Sequence, residues 1–536
     1  MFLRKQKIKN KDGTFRTYLQ VCESVRIDGK PRPIVQMNLG RIDSKEGAER
    51  VETLARLIIQ SSELFSIFDV DSDFETRWAK NYGFHLVFDK VWKNLKLDEL
   101  LEKSFADIQP DFDVGEAVYN MTLNRLHSPA SKRQLSRWQE KIHDITHYDS
   151  HQYYRAMDYL VDHQERLEKS FFANMRLIHD QSVDIVLFDT TTLVYYGEGE
   201  KSEELLAHGF SKAKRGDLKQ VVIGVVMSKD GIPLAHEVFS GNKNDVTCFK
   251  EIIDKISSKF AIKKVILVGD RGMISGKNLL QLQDNGFQYI LGYRMRTIPA
   301  EDRAAVLSKA DLKALRKSGL RWKDVDYNGQ RLIVCYNPER AELDKKKREE
   351  ILERLRKKLK GASIHAVITN PEYKKFLKVS GASPAIDENK VTRDALYDGI
   401  FVLTTNTKLD GKVIIERYKD LWQIEAGFRC LKDELQAGPI YHWKDRRIKA
   451  HIFICFLALV LRLTLNKELK KQDVDMSYSD VMSDLADLDV VCTQIKTNTI
   501  ISRTEIKPGA VTALKALEIQ TPKKVLKSET KHALVV

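Results

Sequence analysis

Val183-Asp184-Ile185-Val186-Leu187-Phe188-Asp189 and Lys264-Val265-Ile266-Leu267-Val268-Gly269-Asp270 are the two stretches that decide the fold. Each is a short run rich in β-branched and aromatic residues that closes on an acid, the pattern of a buried strand. Between them, Lys219 to Met227 and Ile232 to Phe239 flank Ser228-Lys229-Asp230-Gly231, which reads as an antiparallel hairpin. A helix is expected from about Asp245 to Phe260, another from about Ser275 to Asn285, and a strand from Phe287 to Tyr293. Strand, strand, strand, helix, strand, helix, strand predicts an α/β fold, a mixed sheet with helices packed on it.

Outward from this core the rhythm changes. Residues 294–398 break it and include a run, 345–360, with nine Lys and Arg against three Glu, predicted to be a charged helix with a solvated face. From Gly399 it resumes, with a strand at Ile400 to Thr405 and one long helix over about 412–435. The sheet domain is therefore expected in two parts, 180–293 and 399–465, with 294–398 inserted between them. Upstream, 81–179 reads as helical, with apolar residues three and four apart (Val91, Leu95; Val114, Ala117, Val118, Met121). Its basic stretch Ser131 to Trp138 reads as a solvated helix face or as the cationic face of a DNA-contacting region. Residues 1–80 read as a β-rich module, a hairpin turning at Asp28-Gly29-Lys30 and a helix from about Lys45 to Ser61. Residues 466–536 form a C-terminal region with no readable pattern.

Composition limits the function. In 536 residues, 43% are hydrophobic and 31% charged, which excludes a disordered or fibrous chain. The longest apolar run, Ile452 to Leu461, is short of the ~18–20 residues that span a bilayer, and the N-terminus has no secretory signal. No membrane and a cytoplasmic location are expected. None of the six cysteines forms a C-x-x-C pair, which argues against zinc. The 89 Lys and Arg against 75 Asp and Glu leave a net charge of +14, which points to a polyanionic partner.

Two acids that close neighbouring strands open onto one crevice at the carboxyl ends of the sheet. A carboxylate there is costly unless a cation or donors compensate it. On a wheel of the late helix, Tyr418, Trp422, Glu425, Arg429 and Lys432 share one face, and Leu421, Ile424, Phe428, Leu431 and Leu435 another that packs on the sheet. Asp189, Asp270 and Glu425 would then form an oxygen-only site suited to two Mg²⁺ ions, with Mn²⁺ as a substitute. Two such ions roughly 4 Å apart serve in-line phosphoryl transfer. Acids, nearby cations and a basic chain together point to phosphodiester chemistry on nucleic acid.

These residues resemble the DDE transposases of bacterial insertion sequences, whose catalytic domain is ribonuclease H-like. Phe188-Asp189-Thr190-Thr191 looks like the first aspartate motif and Val268-Gly269-Asp270-Arg271-Gly272 like the second. Tyr418-x-x-Leu421-x-x-x-Glu425-x6-Lys432 is similar to the Tyr-Arg-Glu-Lys signature of one branch, with Leu421 in the arginine place. The aspartates are 81 residues apart and Glu425 follows 155 later, a gap that suits the insertion this branch carries.

The resemblance implies Asp189, Asp270 and Glu425 as catalytic residues and metal ligands. It implies Tyr418 and Lys432 as holding phosphates or the displaced strand, with Arg271, Arg294 and Arg429 as further DNA contacts. It implies double-stranded DNA as partner, at transposon ends and target, a homodimer in a synaptic complex, and a hairpin end whose flipped base stacks on Trp322 or Trp422. The competing readings are a metal-dependent nuclease of the same class without strand transfer, and a non-catalytic DNA-binding derivative.

Overall fold

The computed structural model describes residues 1–27, 30–65, 74–178, 185–197, 204–210, 215–260, 266–273, 276–284, 286–315, 319–360, 364–380, 383–472, 476–495 and 498–529. They fall into two units: those within 1–79, 490–504 and 522–529, and those within 80–489 and 505–521.

In the first unit, strands β1 (Phe2–Lys9), β2 (Phe15–Ile27) and β3 (Lys30–Arg41) form an antiparallel sheet in that order. The hairpin expected around Asp28-Gly29 is present as the β2–β3 pairing, although those two residues themselves lie outside the described ones. The helix Lys45–Phe65 follows. Strand β4 (Phe74–Asn81) joins a second sheet whose other members come from the far end of the chain, as described below.

The second unit is built on a nine-stranded sheet. Its strands in chain order are β5 (Ile185–Val194), β6 (Gln220–Ser228), β7 (Pro233–Ser240), β8 (Ile266–Gly269) and β9 (Gln288–Tyr293), followed by β10 (Lys313–Ala314), β11 (Arg321–Tyr327) and β12 (Gln330–Tyr336). A separate hairpin, β13 (Leu377–Ser380) and β14 (Ser383–Ile386), precedes the last member, β15 (Ile400–Thr405). Across the sheet the order is β10-β11-β12-β15-β9-β8-β5-β6-β7. Strands β5, β8 and β9 run parallel, and every other pairing is antiparallel. The five strands β7-β6-β5-β8-β9, a hairpin-linked antiparallel half joined to a parallel half, are the ribonuclease H-like core, so the expected fold class stands. Strands β16 (Asp489–Ile495), β17 (Asn498–Arg503) and β18 (Val525–Glu529) complete the second sheet of the first unit, in the order β18-β17-β16-β4.

Alternation along the strands separates two apolar cores. Val186 and Phe188 point into a core shared with Phe88, Met121, Tyr153 and Leu457, so the helices between Gly83 and Ile178 cover that face. Leu187 points to the other side, against Ile424, Phe428, Leu431 and Leu435. The period of two in a strand makes this unavoidable. Among the described residues one helix, Asp445–Lys470, is long and apolar enough to cross a membrane, and 83% of its most apolar window is buried inside the fold.

Three expectations need correction. Asp189 does not close its strand: β5 runs on to Val194, because Thr190 to Val194 stay paired with β6 from Gly224 to Gln220. The long helix over 412–435 is broken. It consists of a helix Gly411–Lys419, a tight turn at Asp420 and Leu421, a helix Trp422–Arg429 and a π-helical turn Cys430–Glu434. At the break the amides of Leu421 and Ile424 reach back three residues, to Tyr418 and Leu421, which tightens the turn and resets the helix wheel. The wider π turn then keeps Leu431 and Leu435 buried beside Phe428. Finally, 294–398 is divided in use. Strands β10 to β12 extend the catalytic sheet, while the helix Pro338–Leu359 and the β13–β14 hairpin contribute to a small core around Leu352, Leu355 and Phe376.

Candidate active site

The register of β5 and β8 places the two aspartates. Leu187 pairs with Val268, so two residues further on Asp189 and Asp270 stand side by side on neighbouring parallel strands. They share the parity of Leu187 and Val268, both of which face the core containing Ile424 and Phe428. The acids therefore project towards the side of the sheet that carries the Glu425 helix. Each is fixed in the same way: Oδ1 of Asp189 accepts from the amide of Thr190 and Oδ1 of Asp270 from that of Arg271, both at 2.7 Å. Beside Asp189, the buried Thr190 hydroxyl donates to Oδ1 of Asp245 at 2.5 Å, tying β5 to the start of the helix Asp245–Phe260.

Asp189, Asp270 and Glu425 line one cavity of about 370 Å³, with Tyr418, Lys419, Leu421, Trp422, Phe401, Asn337 and Leu320 around them. Ile424 and Phe428 pack Glu425's helix onto the sheet, and the intervening Glu425 is left exposed. Its carboxylate makes no ion pair or hydrogen bond among the described residues. The Tyr418 hydroxyl donates to Oδ1 of Asp270 over 3.4 Å. Burial, then the Asp270 charge, pushes its phenol well above the ordinary tyrosine range, so it stays protonated as a donor.

The donor set is three carboxylates with oxygen ligands alone, which matches a hard divalent cation in chemistry. Among the described residues, no three His, Cys, Asp or Glu side chains converge tightly enough to form a ready-made coordination shell. The acids thus have the right chemistry for such an ion without being closed around it.

A second cavity of about 560 Å³ shares Asp270, Phe401 and Tyr418 with the first and is lined by Arg271, Arg294 and Arg296. Arg294 Nε donates to the Arg271 carbonyl at 3.2 Å. Arg271 and Arg294 are thus brought beside the acids. Arg429 is not: it lines a different cavity, on the far side of Trp422, with Arg462 and Lys467. Lys432 is half-buried in the π turn and lines none of these cavities. The π turn shifts Lys432 off the wheel's face, while Arg429, on Glu425's own helix, lies one turn further on and opens to the neighbouring cavity. Of the two stacking candidates, Trp422 is 58% exposed at the cavity rim, whereas Trp322 is buried beneath the helix Gly411–Lys419, where its ring fills the space a Cβ on Gly411 would need. Lys419, Asn337 and Arg296 were not singled out from sequence. Asn337 and Arg296 come from the stretch read as a separate insertion, and Lys419 lay off the wheel's functional face.

Residues 181–461 match the family model for the transposase DDE domain, and residues 3–63 match that for the N-terminal domain of IS1634 family transposases. A cryo-EM structure of a piggyBac transposase synaptic complex with hairpin DNA aligns over 76% of this chain and 78% of that one, at 9% identity and a TM-score of 0.35. A Mos1 transposase paired-end complex with the left transposon end aligns over 34% of this chain and 60% of that one, at 11% identity and a TM-score of 0.15. No curated protein matches. With the DDE domain spanning more than half of its length, the chain belongs to the DDE transposases, enzymes of DNA cleavage and strand transfer.

Proposed function

We propose that the protein moves its element by cut and paste in the cytoplasm, with Asp189, Asp270 and Glu425 as its catalytic carboxylates. In this reading the three acids hold two Mg²⁺ ions, or Mn²⁺ in their place. Bound there, the ions supply activation of the attacking oxygen and neutralise charge on the leaving oxygen. The chain's own residues do the positioning. Tyr418 orients Asp270, and Arg271, Arg294 and Lys419 hold phosphates flanking the reacting one. Trp422 offers an exposed ring for a displaced base, and Arg429 with Lys432 contacts the strand further along. The spacing of Tyr418, Glu425 and Lys432, with Leu421 in the arginine position, supports assignment to the Tyr-Arg-Glu-Lys branch. A homodimer brings the two ends of double-stranded DNA together before attack on a target.

One observation carries the reading: acids from β5, β8 and the helix Trp422–Arg429, separated by up to 236 residues in the chain, line a single cavity. The test follows a labelled 3′ end into a target plasmid, with paired ends and Mg²⁺. The native protein should cut and join, and Glu425→Gln should stop both steps together. Ends that are cleaved but never joined, under synapsed conditions, would favour a nuclease that lacks strand transfer.

A further inference from the structure

A cavity larger than the one that holds the acids lies elsewhere in the second unit. It has a volume of about 700 Å³ and lies between the basic stretch after Ser128 and the segment following the π turn. Its wall carries Arg125, Lys132, Arg133, Lys444 and Arg447 and no Asp or Glu. So concentrated a positive charge, with an acid beside Arg447 alone, is a costly arrangement for a folded chain to keep.

Lys132 is the sharpest part of it. The side chain is 2% exposed, and Nζ is buried with no hydrogen-bond partner. Burial, then the Arg125 charge, pushes its amine well below the ordinary lysine range, and a buried nitrogen donor left unmade costs the full desolvation of the group. Its neighbours do not relieve it. Arg125 spends its Nη atoms on the carbonyls of Gln436 and Ala130, at 3.2 and 2.7 Å. Arg447 stacks 4.5 Å over the Tyr154 ring and stands 3.6 Å from Asp158, outside the wall. The two histidines in the wall are held neutral: burial, then Lys132 and the arginines, push His442 down to about 4 and His451 well below its ordinary value.

At the rim, Tyr441 and Trp443 are 66% and 46% exposed, and Lys444 Nζ lies 5.3 Å from the Trp443 ring centre. The site is also coupled to the catalytic strand. Tyr195, directly after β5, bridges to Ile440 in the wall segment, six residues beyond Asp189 or about 20 Å along an extended chain.

We propose that this cavity is an oxyanion site that seats one phosphodiester of a DNA strand, with Lys132 as its floor and Arg133 and Lys444 at its mouth. An oxyanion neutralises the wall, gives Lys132 a partner when its Nζ turns into the cavity, and leaves Tyr441 and Trp443 beside the adjoining sugar and base. The oxyanion site stands on its own geometry. Its assignment to DNA rests on the function proposed above.

The experiment uses the full chain and titrates inorganic phosphate at constant ionic strength while following thermal unfolding, with end-DNA affinity measured in parallel. Phosphate should raise the native protein's unfolding temperature. Lys132→Met, which removes a buried unpartnered amine at similar volume, should be at least as stable without phosphate. It should lose the phosphate increment and bind end DNA about tenfold more weakly, the worth of a charged hydrogen bond. Should that variant fold poorly, Arg133→Gln with Lys444→Gln alters exposed side chains alone and should shrink the increment with the fold intact. A phosphate increment unchanged in both variants would overturn the site, even for a protein that still cuts and joins DNA. A lost increment with unchanged DNA affinity would make the site one for free phosphate and overturn its assignment to DNA.

Discussion

The Tyr418 hydroxyl reaches Oδ1 of Asp270 at 3.4 Å from a helix 148 residues further along the chain. A third residue makes this approach possible. A Cβ on Gly292 of β9 would lie 2.6 Å from the Tyr418 oxygen and 2.9 Å from the Arg271 amide, so this position has to be glycine for the phenol to pass. The ring itself lies nearly parallel to Phe401 of β15, with centres 6.4 Å apart.

Tyr418→Phe keeps that ring contact and removes the donor. Cleavage should slow about fivefold, the worth of one ordinary hydrogen bond of ~1 kcal/mol, with little change in unfolding temperature. Gly292→Ala should slow cleavage more than Tyr418→Phe, since it displaces both the phenol and the Arg271 backbone. Single-turnover cleavage of an end substrate checks both, and equal rates for Gly292→Ala and the native protein would remove the positioning role of Tyr418.

Asp189→Asn and Asp270→Asn remove one carboxylate charge each without changing shape. Each should lower cleavage by at least about a hundredfold while end-DNA affinity, set by Lys and Arg elsewhere, stays within a factor of two or so. Gel-shift and cleavage assays on the same preparations separate the two effects. Undiminished cleavage in either variant would dismiss the assignment of the three acids.

His236 gives the protein an acid-sensitive core. Its ring is 1% exposed, stacks 4.6 Å from Phe456 and 5.3 Å from Phe453, and has neither nitrogen hydrogen-bonded. Burial, then the nearby Lys255 charge, pushes it down to about 3. In the unfolded chain it titrates near 6.5, so between those values the unfolded state binds the extra proton. Its contribution is whole above about pH 6.5 and is lost as pH falls towards 3, by up to ~1.4 kcal/mol per pH unit. His236→Phe should be near neutral at pH 7.5 and stabilising by about 2 kcal/mol at pH 5, read by denaturant unfolding at both values. An identical loss on acidification in the two proteins would show that His236 does not carry it.

Lys255 holds a buried charge cluster under the same face. Its Nζ lies 2.7 Å from Glu168 and 2.6 Å from Glu237 and donates to the His236 carbonyl at 3.1 Å. Lys255→Met strands two carboxylates and should cost about 3–5 kcal/mol. Adding Glu168→Gln and Glu237→Gln to it should return much of that, since no buried charge then lacks a partner. Equilibrium unfolding with an unchanged denaturant slope would register both changes as stability alone.

The sequence by itself was enough for the parts set by local pattern. Apolar runs around Val186 to Phe188 and Leu267 to Val268, a hairpin signal at Asp230-Gly231, and acids at 189 and 270 made a mixed α/β sheet with two carboxylates on adjoining strands legible. So did the packed face of Ile424, Phe428, Leu431 and Leu435, which the π turn leaves buried. Local periodicity reports which side of an element is apolar, and burial then follows.

What depends on residues far apart was decided by tertiary structure. The pairing of β6 with Thr190 to Val194 carries β5 past Asp189, and no single strand's sequence encodes how long its neighbour stays in register. The π turn after Arg429 rotates Lys432 relative to Glu425, because a wheel assumes one unbroken helix, while Arg429 sits one turn beyond Glu425 on the same helix and lines a different cavity. Strands β10 to β12 complete the sheet from a stretch whose charge made it read as separate, and β16 to β18 join β4 from the opposite end of the chain. The cavity over Lys132 is the clearest case: a lysine in a basic run is ordinarily solvated, and only the segment Gln436–Arg447 folding over it turns that charge into a buried site. Strand pairing and the covering of one segment by another are long-range events whose free energy comes from groups distant in the chain, so they are settled by the assembled fold.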